Sequence, residues 1–185
     1  MAEPAGAARV RLEAPSLRRQ REFLAAVRRS RGLHGRWVAP PASAPAYRAY
    51  LTHARRPAHA AYFVVRRDTR TLAGLINVSE IVRGNFQSAY LGYYAFTPHA
   101  QNGFMREGLA QVLDIAFTRL RLHRLEANIQ PDNIPSTRLV QSLGFRLEGH
   151  SPHYLKVAKA WRDHDRWAIT ADEWLTSDRK MPPRA

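Results

Sequence analysis

The chain has 185 residues, 45% of them hydrophobic, with 29 Lys and Arg against 15 Asp and Glu for a formal charge of +14, and it has no cysteine. Such a length allows one domain with a sizeable core, while the lack of cysteine excludes a disulfide framework, a thiolate nucleophile and a cysteine-based zinc site. No apolar run approaches the ~20 residues of a membrane span, and no histidine pair has the close helical spacing of a metal motif. The first residues, MAEPAGAARV, lack the basic and apolar regions of a signal peptide, so the expected location is the cytoplasm, with no membrane and no metal. Much of the positive charge sits early, in Arg18, Arg19, Arg21, Arg28, Arg29, Arg31 and Arg36. Two readings stand: a polyanionic partner such as RNA, or solvated helix faces in a chain that prefers Arg to Lys.

In chain order, Val10 to Leu12 predicts a first strand. Ser16 predicts the cap of a helix with Leu17, Phe23, Leu24 and Val27 on its apolar side. Gly32, Gly35 and Pro40-Pro41 break the chain, and a second helix is expected from Pro45 through Leu51, capped by Ser43 and limited by Pro57. Ala61 to Val65 and Leu72 to Ile81 read as a hairpin around Arg67-Asp68-Thr69-Arg70, and Arg83-Gly84-Asn85 turns into the next strand.

That strand, Ala89 to Phe96, leads into the most informative stretch. Thr97-Pro98 ends it, and from Phe104 the positions Leu109, Val112, Leu113, Ala116, Phe117 and Leu120 recur at helical spacing. The joint, Gln101-Asn102-Gly103, puts a glycine at the mouth of a helix, where bare N–H groups and the helix dipole suit phosphate oxygens. A plain strand-to-helix turn is the competing reading. Arg124 to Ile129 predicts another strand and Pro135 to Leu143 a short helix. Asp132 or Asn133 would cap that helix, and Gly144 would end it with Phe145 folding back. Late strands are expected near Arg146 to Val157 and Trp161 to Ile169, then a last helical turn over Ala171 to Leu175. The whole reads as one mixed α/β domain over residues 1–185, in which two helix N-termini flank one cleft.

Gln101-Asn102-Gly103-Phe104-Met105-Arg106-Glu107, Asn133-x-x-Ser136 and Leu143-Gly144-Phe145 together resemble the acetyl-coenzyme A site of the GNAT superfamily of N-acetyltransferases. More narrowly, Val82-Arg83-Gly84, Tyr90-Leu91-Gly92-Tyr93, His123-Arg124 and Trp161-Arg162-Asp163-His164 resemble the RimJ/RimL type, the ribosomal-protein-alanine N-acetyltransferases. The likeness runs from about Phe63 to Trp174. It implies a mixed, mostly antiparallel sheet splayed at its centre and flanked by helices, with acetyl-CoA as co-substrate. Its pantetheine arm would pair with backbone of Phe96 and neighbouring residues, and its pyrophosphate would lie on the N–H groups from Gln101 to Arg106, which include Asn102, Gly103, Phe104 and Met105. Asn133 would meet the pantetheine arm, Arg138 would reach the phosphates, and Ser136 would protonate the leaving thiolate. The family loop often begins with Arg or Gln where this chain has Ala100, and ends on a small residue where it has Met105.

The implied reaction is direct attack of a neutral amine on the thioester. An α-amino group ionises at about 7.7–8.0 and a lysine near 10.4, so an N-terminal acceptor needs little help losing its proton. Glu126 is the first candidate base, with a plain strand charge as the competing reading. Glu80 is the second. Glu107 reads as ordering the helix start, since a carboxylate beside pyrophosphate would repel it. Tyr93, Tyr94 and Tyr154 are candidates for the acceptor pocket. The expected acceptor is the N-terminal α-amine, an alanine first of all, of a protein such as a ribosomal protein, with the basic surface bringing the enzyme near RNA or the ribosome. A small amine such as a polyamine, and a non-catalytic acyl-CoA-binding or RNA-associated module, are the alternatives.

Overall fold

A computed structural model describes residues 8–177. Its centre is a seven-stranded sheet in the order β1-β2-β3-β4-β5-β7-β6, formed by β1 (Val10–Glu13), β2 (Ala60–Arg66), β3 (Leu72–Val82), β4 (Ser88–Ala95), β5 (Arg124–Ile129), β6 (Arg146–Val157) and β7 (Ala160–Thr170). Every neighbour pair is antiparallel except β4 and β5, which run parallel. A parallel pair needs a crossover, and α4 (Phe104–Asp114) supplies it. Strand alternation then sorts the apolar residues onto two faces. Val64, Ile76 and Leu91 face α4, α5 (Ile134–Ser142) and α6 (Ala171–Thr176), in one core that includes Leu109, Leu113, Val140 and Trp174. Phe63, Leu75, Tyr94 and Phe96 meet Phe23 of α1 (Gln20–Arg29) and Tyr47 of α3 (Ala44–Ala54) on the other face.

Gly108 sets how closely α4 lies on the sheet. A Cβ there would stand 2.6 Å from a methyl of Val64, so a larger residue would push helix and β2 apart. Past Asp114 the helix widens into a π-type turn, with Leu120 N–H reaching the Ile115 carbonyl at 2.9 Å. Glu107, 7% exposed, ties α4 to the start of β1: its carboxylate accepts the Arg9 backbone N–H at 2.8 Å and Nε–H at 2.6 Å. The expectation that Glu107 orders the helix start thus has a named partner. Glu107→Ala is expected to destabilise by about 1–3 kcal/mol, mostly through the orphaned backbone donor, because the exposed guanidinium can rehydrate. Urea denaturation measures this, and an unshifted midpoint would show the tether to be idle.

Several expectations change. Ser16 makes no side-chain cap bond, and Leu17 is 57% exposed in a short 3-10 turn, Leu17–Arg19, ahead of α1. Gly32 does not break the chain but sits within a single helical turn, α2 (Arg31–His34), which ends at Gly35. Ser43 does cap α3, accepting the Ala46 N–H, but the helix continues to Ala54. Arg19 is no free surface charge: it binds Glu13, Glu22 and the Arg70 carbonyl, joining β1, α1 and the β2–β3 turn. Hydrogen bonding from Arg19 outweighs burial and holds the Glu13 carboxyl below its usual range.

Candidate active site

The β4–β5 ladder stops at Leu91↔Ala127, yet β4 stays paired to β3 as far as Ala95, and β5 stays paired to β7 as far as Ile129. The two strands therefore part, and a cleft of about 530 Å³ opens in the splay. Phe96 N–H donates to the Ala73 carbonyl, so by alternation the Tyr93 backbone and the Ala95 N–H point the other way, into the gap, while the Ala95 carbonyl is met by His34 Nε2. An extended, amide-bearing chain fits there as an added strand. This corrects the expectation for Phe96. Its N–H is taken by Ala73, its carbonyl accepts the His99 N–H, and its ring is wholly buried against Phe23 and Tyr94.

One end of the cleft is the loop before α4. Gln101 and Gly103 both have left-handed backbone, at φ 63 and 80. The first carbonyl bond of the helix runs from Glu107 N–H to Gly103 at 3.1 Å, which leaves the N–H groups of Phe104, Met105 and Arg106 without a helical partner. Gln101, Gly103, Met105 and Arg106 border the cleft. Asn102 and Phe104 do not. The Asn102 amide turns back to the Pro98 and Ala100 carbonyls, and the Phe104 ring lies under the guanidinium groups of Arg9 and Arg66.

The facing wall is the first turn of α5. Asn133 caps it, its Oδ1 accepting the Ser136 N–H at 3.4 Å, while Asp132 instead pairs with Arg36 at 2.6 Å. Asn133, Ser136 and Arg138 all border the cleft. The Ser136 hydroxyl is not a cap, since Asn133 fills that role; its hydrogen-bonding neighbour is the Tyr93 phenol. Tyr93 donates its hydroxyl to the Ser136 carbonyl at 3.2 Å, holding this turn against β4. Burial pushes the Tyr93 and Tyr94 phenols well up, so both stay neutral.

The remaining candidates fall outside. Glu126 does not border the cleft. It lies beside Tyr90 on the sheet, with its carboxylate held by Arg124 Nε at 3.0 Å, and Arg124 is shared with Glu148. Glu80 is exposed at a bulge of β3, with φ 52. Tyr154, on β6, packs its ring 6.3 Å from that of His164 and does not itself border the opening.

The third wall escaped the sequence. Leu33, His34, Trp37 and Val38, from α2 and the turn after it, border the cleft together with Asn128 and Gln130. The stretch Leu33-His34-Gly35-Arg36-Trp37-Val38, apolar at three positions and interrupted by one glycine, is the one hint the sequence offers. Arg36 lies over the Trp37 ring at 4.6 Å and, through Asp132, links this wall to the α5 loop. Asn128 Oδ1 and His34 Nδ1 are both buried without a partner.

A splayed sheet with a glycine-opened helix start and a capped second helix at one cleft is an acyl-CoA transferase architecture. The chain belongs to the GNAT acetyltransferase family, whose domain matches residues 9–146. It is 36% identical over 107 residues to the [ribosomal protein uS5]-alanine N-acetyltransferase of Escherichia coli, covering 58% of this chain and 55% of that protein. It is 29% identical to a spermidine N(1)-acetyltransferase of Vibrio cholerae, covering 61% of this chain and 65% of that protein. The matched segments thus span between half and two thirds of these relatives' own lengths. Among solved structures, Mycobacterium smegmatis RimJ in complex with CoA-disulfide aligns with a TM-score of 0.84 at 26% identity, over 96% of this chain and 88% of that one. Members of the family use acetyl-CoA, and the unpaired N–H groups at α4 with the parted strands fit its phosphates and its amide-bearing arm.

Proposed function

We propose that this chain transfers the acetyl group of acetyl-CoA to the α-amine at a protein N-terminus, with an alanine-starting ribosomal protein as the leading acceptor. The observation that carries this is the composition of the cleft. Among the described residues, those bordering it include Arg106 and Arg138 but neither Asp nor Glu, and its lining also includes apolar Leu33, Trp37 and Val38 and the amides of Asn128 and Gln130. A peptide end brings one amine, a small side chain and backbone amides to such a wall. A polyamine would bring several positive charges to a place without a counter-charge, which is unfavourable in a partly desolvated site.

In this reading the N–H groups at the start of α4 hold phosphate oxygens, and the Tyr93 backbone and the Ala95 N–H align the arm. The bound co-substrate supplies an activated acyl carbon. Asn133 sets the first turn of α5, and Ser136, whose hydroxyl is not needed as a cap, offers its proton at the sulfur. The test is a mass-shift assay on a peptide with a free α-amine and one internal lysine, followed by fragmentation. The expected product carries a single acetyl group on the α-amine; acetylation of the lysine alone would sink the reading.

The basic surface enters as a steering device. Arg18, Arg21, Arg28, Arg29 and Arg31 are exposed on α1 and its flanks and join none of the ion pairs found among the described residues, unlike Arg19. Neutralising Arg18, Arg21 and Arg28 is expected to slow acetylation of a ribosome-bound acceptor several-fold while leaving a short peptide unaffected, with the difference shrinking as salt rises. Equal losses on both acceptors would assign these arginines to folding.

A further inference from the structure

Two histidines border the cleft, and their tautomers are opposite. His34 Nε2 lies 2.9 Å from the Ala95 carbonyl, which can only accept, so that nitrogen carries the hydrogen. Its Nδ1 lone pair is sealed from solvent with no partner, and burial lowers the pKa so that the ring stays neutral. His164 is reversed: Nδ1 lies 2.9 Å from the Arg162 carbonyl, so Nδ1 carries the hydrogen and Nε2 is the bare lone pair. The residue is 3% exposed and borders the cleft. Its Nε2 makes no hydrogen bond among the described residues, but it is not sealed in as His34 Nδ1 is.

The position suits an incoming amine. The β5–β7 ladder ends at Ile129↔Asp165, so His164 stands just past the last rung, where β5 gives way to the loop carrying Gln130 and Asn133. Tyr154 packs against the ring from β6, and the Arg162 carbonyl fixes its rotation. Among the described residues, no other bordering side chain presents an open basic nitrogen to the cleft. Tyr93 and Tyr94 are held as phenols, Arg106 and Arg138 have no lone pair to offer, and the free nitrogen of His34 is closed off.

We propose that His164 is the catalytic base that accepts the proton of the attacking amine. This rests on the acetyl-transfer reading above. The amine lone pair forms the new C–N bond and the acyl C–S bond breaks with its electron pair leaving on sulfur. The amine proton passes to His164 Nε2, and the thiolate takes a proton from the Ser136 hydroxyl. Solvent returns the proton from the imidazolium to Ser136, so atoms and charge balance.

The test pairs two variants with an observation of the parent protein. His164→Gln keeps polar atoms but loses the basic nitrogen, and is expected to lower kcat by roughly 10²-fold or more with acetyl-CoA affinity by calorimetry within about twofold. His164→Ala is expected to be equally slow and to regain at least about tenfold of its rate when free imidazole is added, a rescue that a packing role would not give. Nitrogen-15 shifts of the parent ring are expected to show the Nδ1–H tautomer. A His164→Gln rate within about threefold of the parent, a His164→Ala loss that imidazole does not relieve, or an Nε2–H tautomer overturns the assignment. The rates are measured with whichever amine the parent acetylates, so a wrong acceptor class shows as a change of substrate and a wrong base as an unchanged rate. A parent that acetylates no amine removes the transfer reading and this role together.

Discussion

Ser136→Ala is expected to lower kcat by roughly 10²-fold while leaving the melting temperature nearly where it was. A serine in the first turn of a helix invites a structural explanation, since loss of a capping hydroxyl costs about 1 kcal/mol. Here that explanation is already taken. Asn133 is the cap, its Oδ1 accepting the Ser136 N–H, and Tyr93 anchors the turn through the Ser136 backbone carbonyl, which alanine retains. The hydroxyl caps nothing, and its neighbour, the Tyr93 phenol, keeps its bond to the Ser136 carbonyl, so its removal leaves no orphaned donor. The loss of rate falls toward the small end of the range for general-acid catalysis, because a thiol with pKa near 8.5 is a fair leaving group without help. Single-turnover rates at saturating acetyl-CoA with an alanine-starting peptide, beside a thermal melt, make the comparison. A rate within about twofold of the parent would remove Ser136 from the chemistry.

Gly103→Val is expected to weaken acetyl-CoA binding at least about tenfold, equivalent to ~1.4 kcal/mol, with the fold retained. Gly103 has φ +80, where an L-residue costs roughly 1–2 kcal/mol and a β-branched one sits least well. The side chain would also approach Arg9 Nη2 at 2.9 Å, but that is the far end of a flexible, half-exposed arginine and can move aside. Backbone conformation is therefore the larger effect. Relaxing it rotates the peptide planes that aim the N–H groups of Phe104, Met105 and Arg106, and those donors are what the phosphates require. Calorimetry with acetyl-CoA reads the change directly. Unaltered affinity would place the phosphates elsewhere.

How much of this was legible in the sequence differs between fold and site. All seven strands and the helices α1, α3, α4, α5 and α6 were signalled by periodicity and by breakers such as Pro98, Gly84 and Gly144. The single turn of α2 was not, because four residues containing Gly32 carry no helical period and tertiary contact decides them. The end of the cleft proposed for the cofactor was readable because backbone chemistry is local: Gly103 and Asn133 act on their own helix starts. The end proposed for the acceptor was not. Leu33, Trp37, Asn128, Gln130 and His164 come from separate elements, and only the parting of β4 from β5 makes them neighbours. Glu126 shows the converse. It lies on the strand that lines the splay, but the Arg124 beside it takes up its carboxylate, and strand position alone does not reveal that partnership. Arg19 was misread for the same reason, since Glu13 and Glu22 claim it from two elements at once.

The central claim is that the cleft receives a singly charged peptide end. A competition measures it most directly: equal concentrations of an alanine-starting peptide and spermidine, limiting acetyl-CoA, and both products quantified by mass spectrometry from one tube. The account predicts that the acetyl group goes predominantly to the peptide α-amine, by at least about tenfold, because the cleft holds Arg106 and Arg138 and, among its described lining, no carboxylate to receive a polycation. Acetylspermidine as the main product would contradict it.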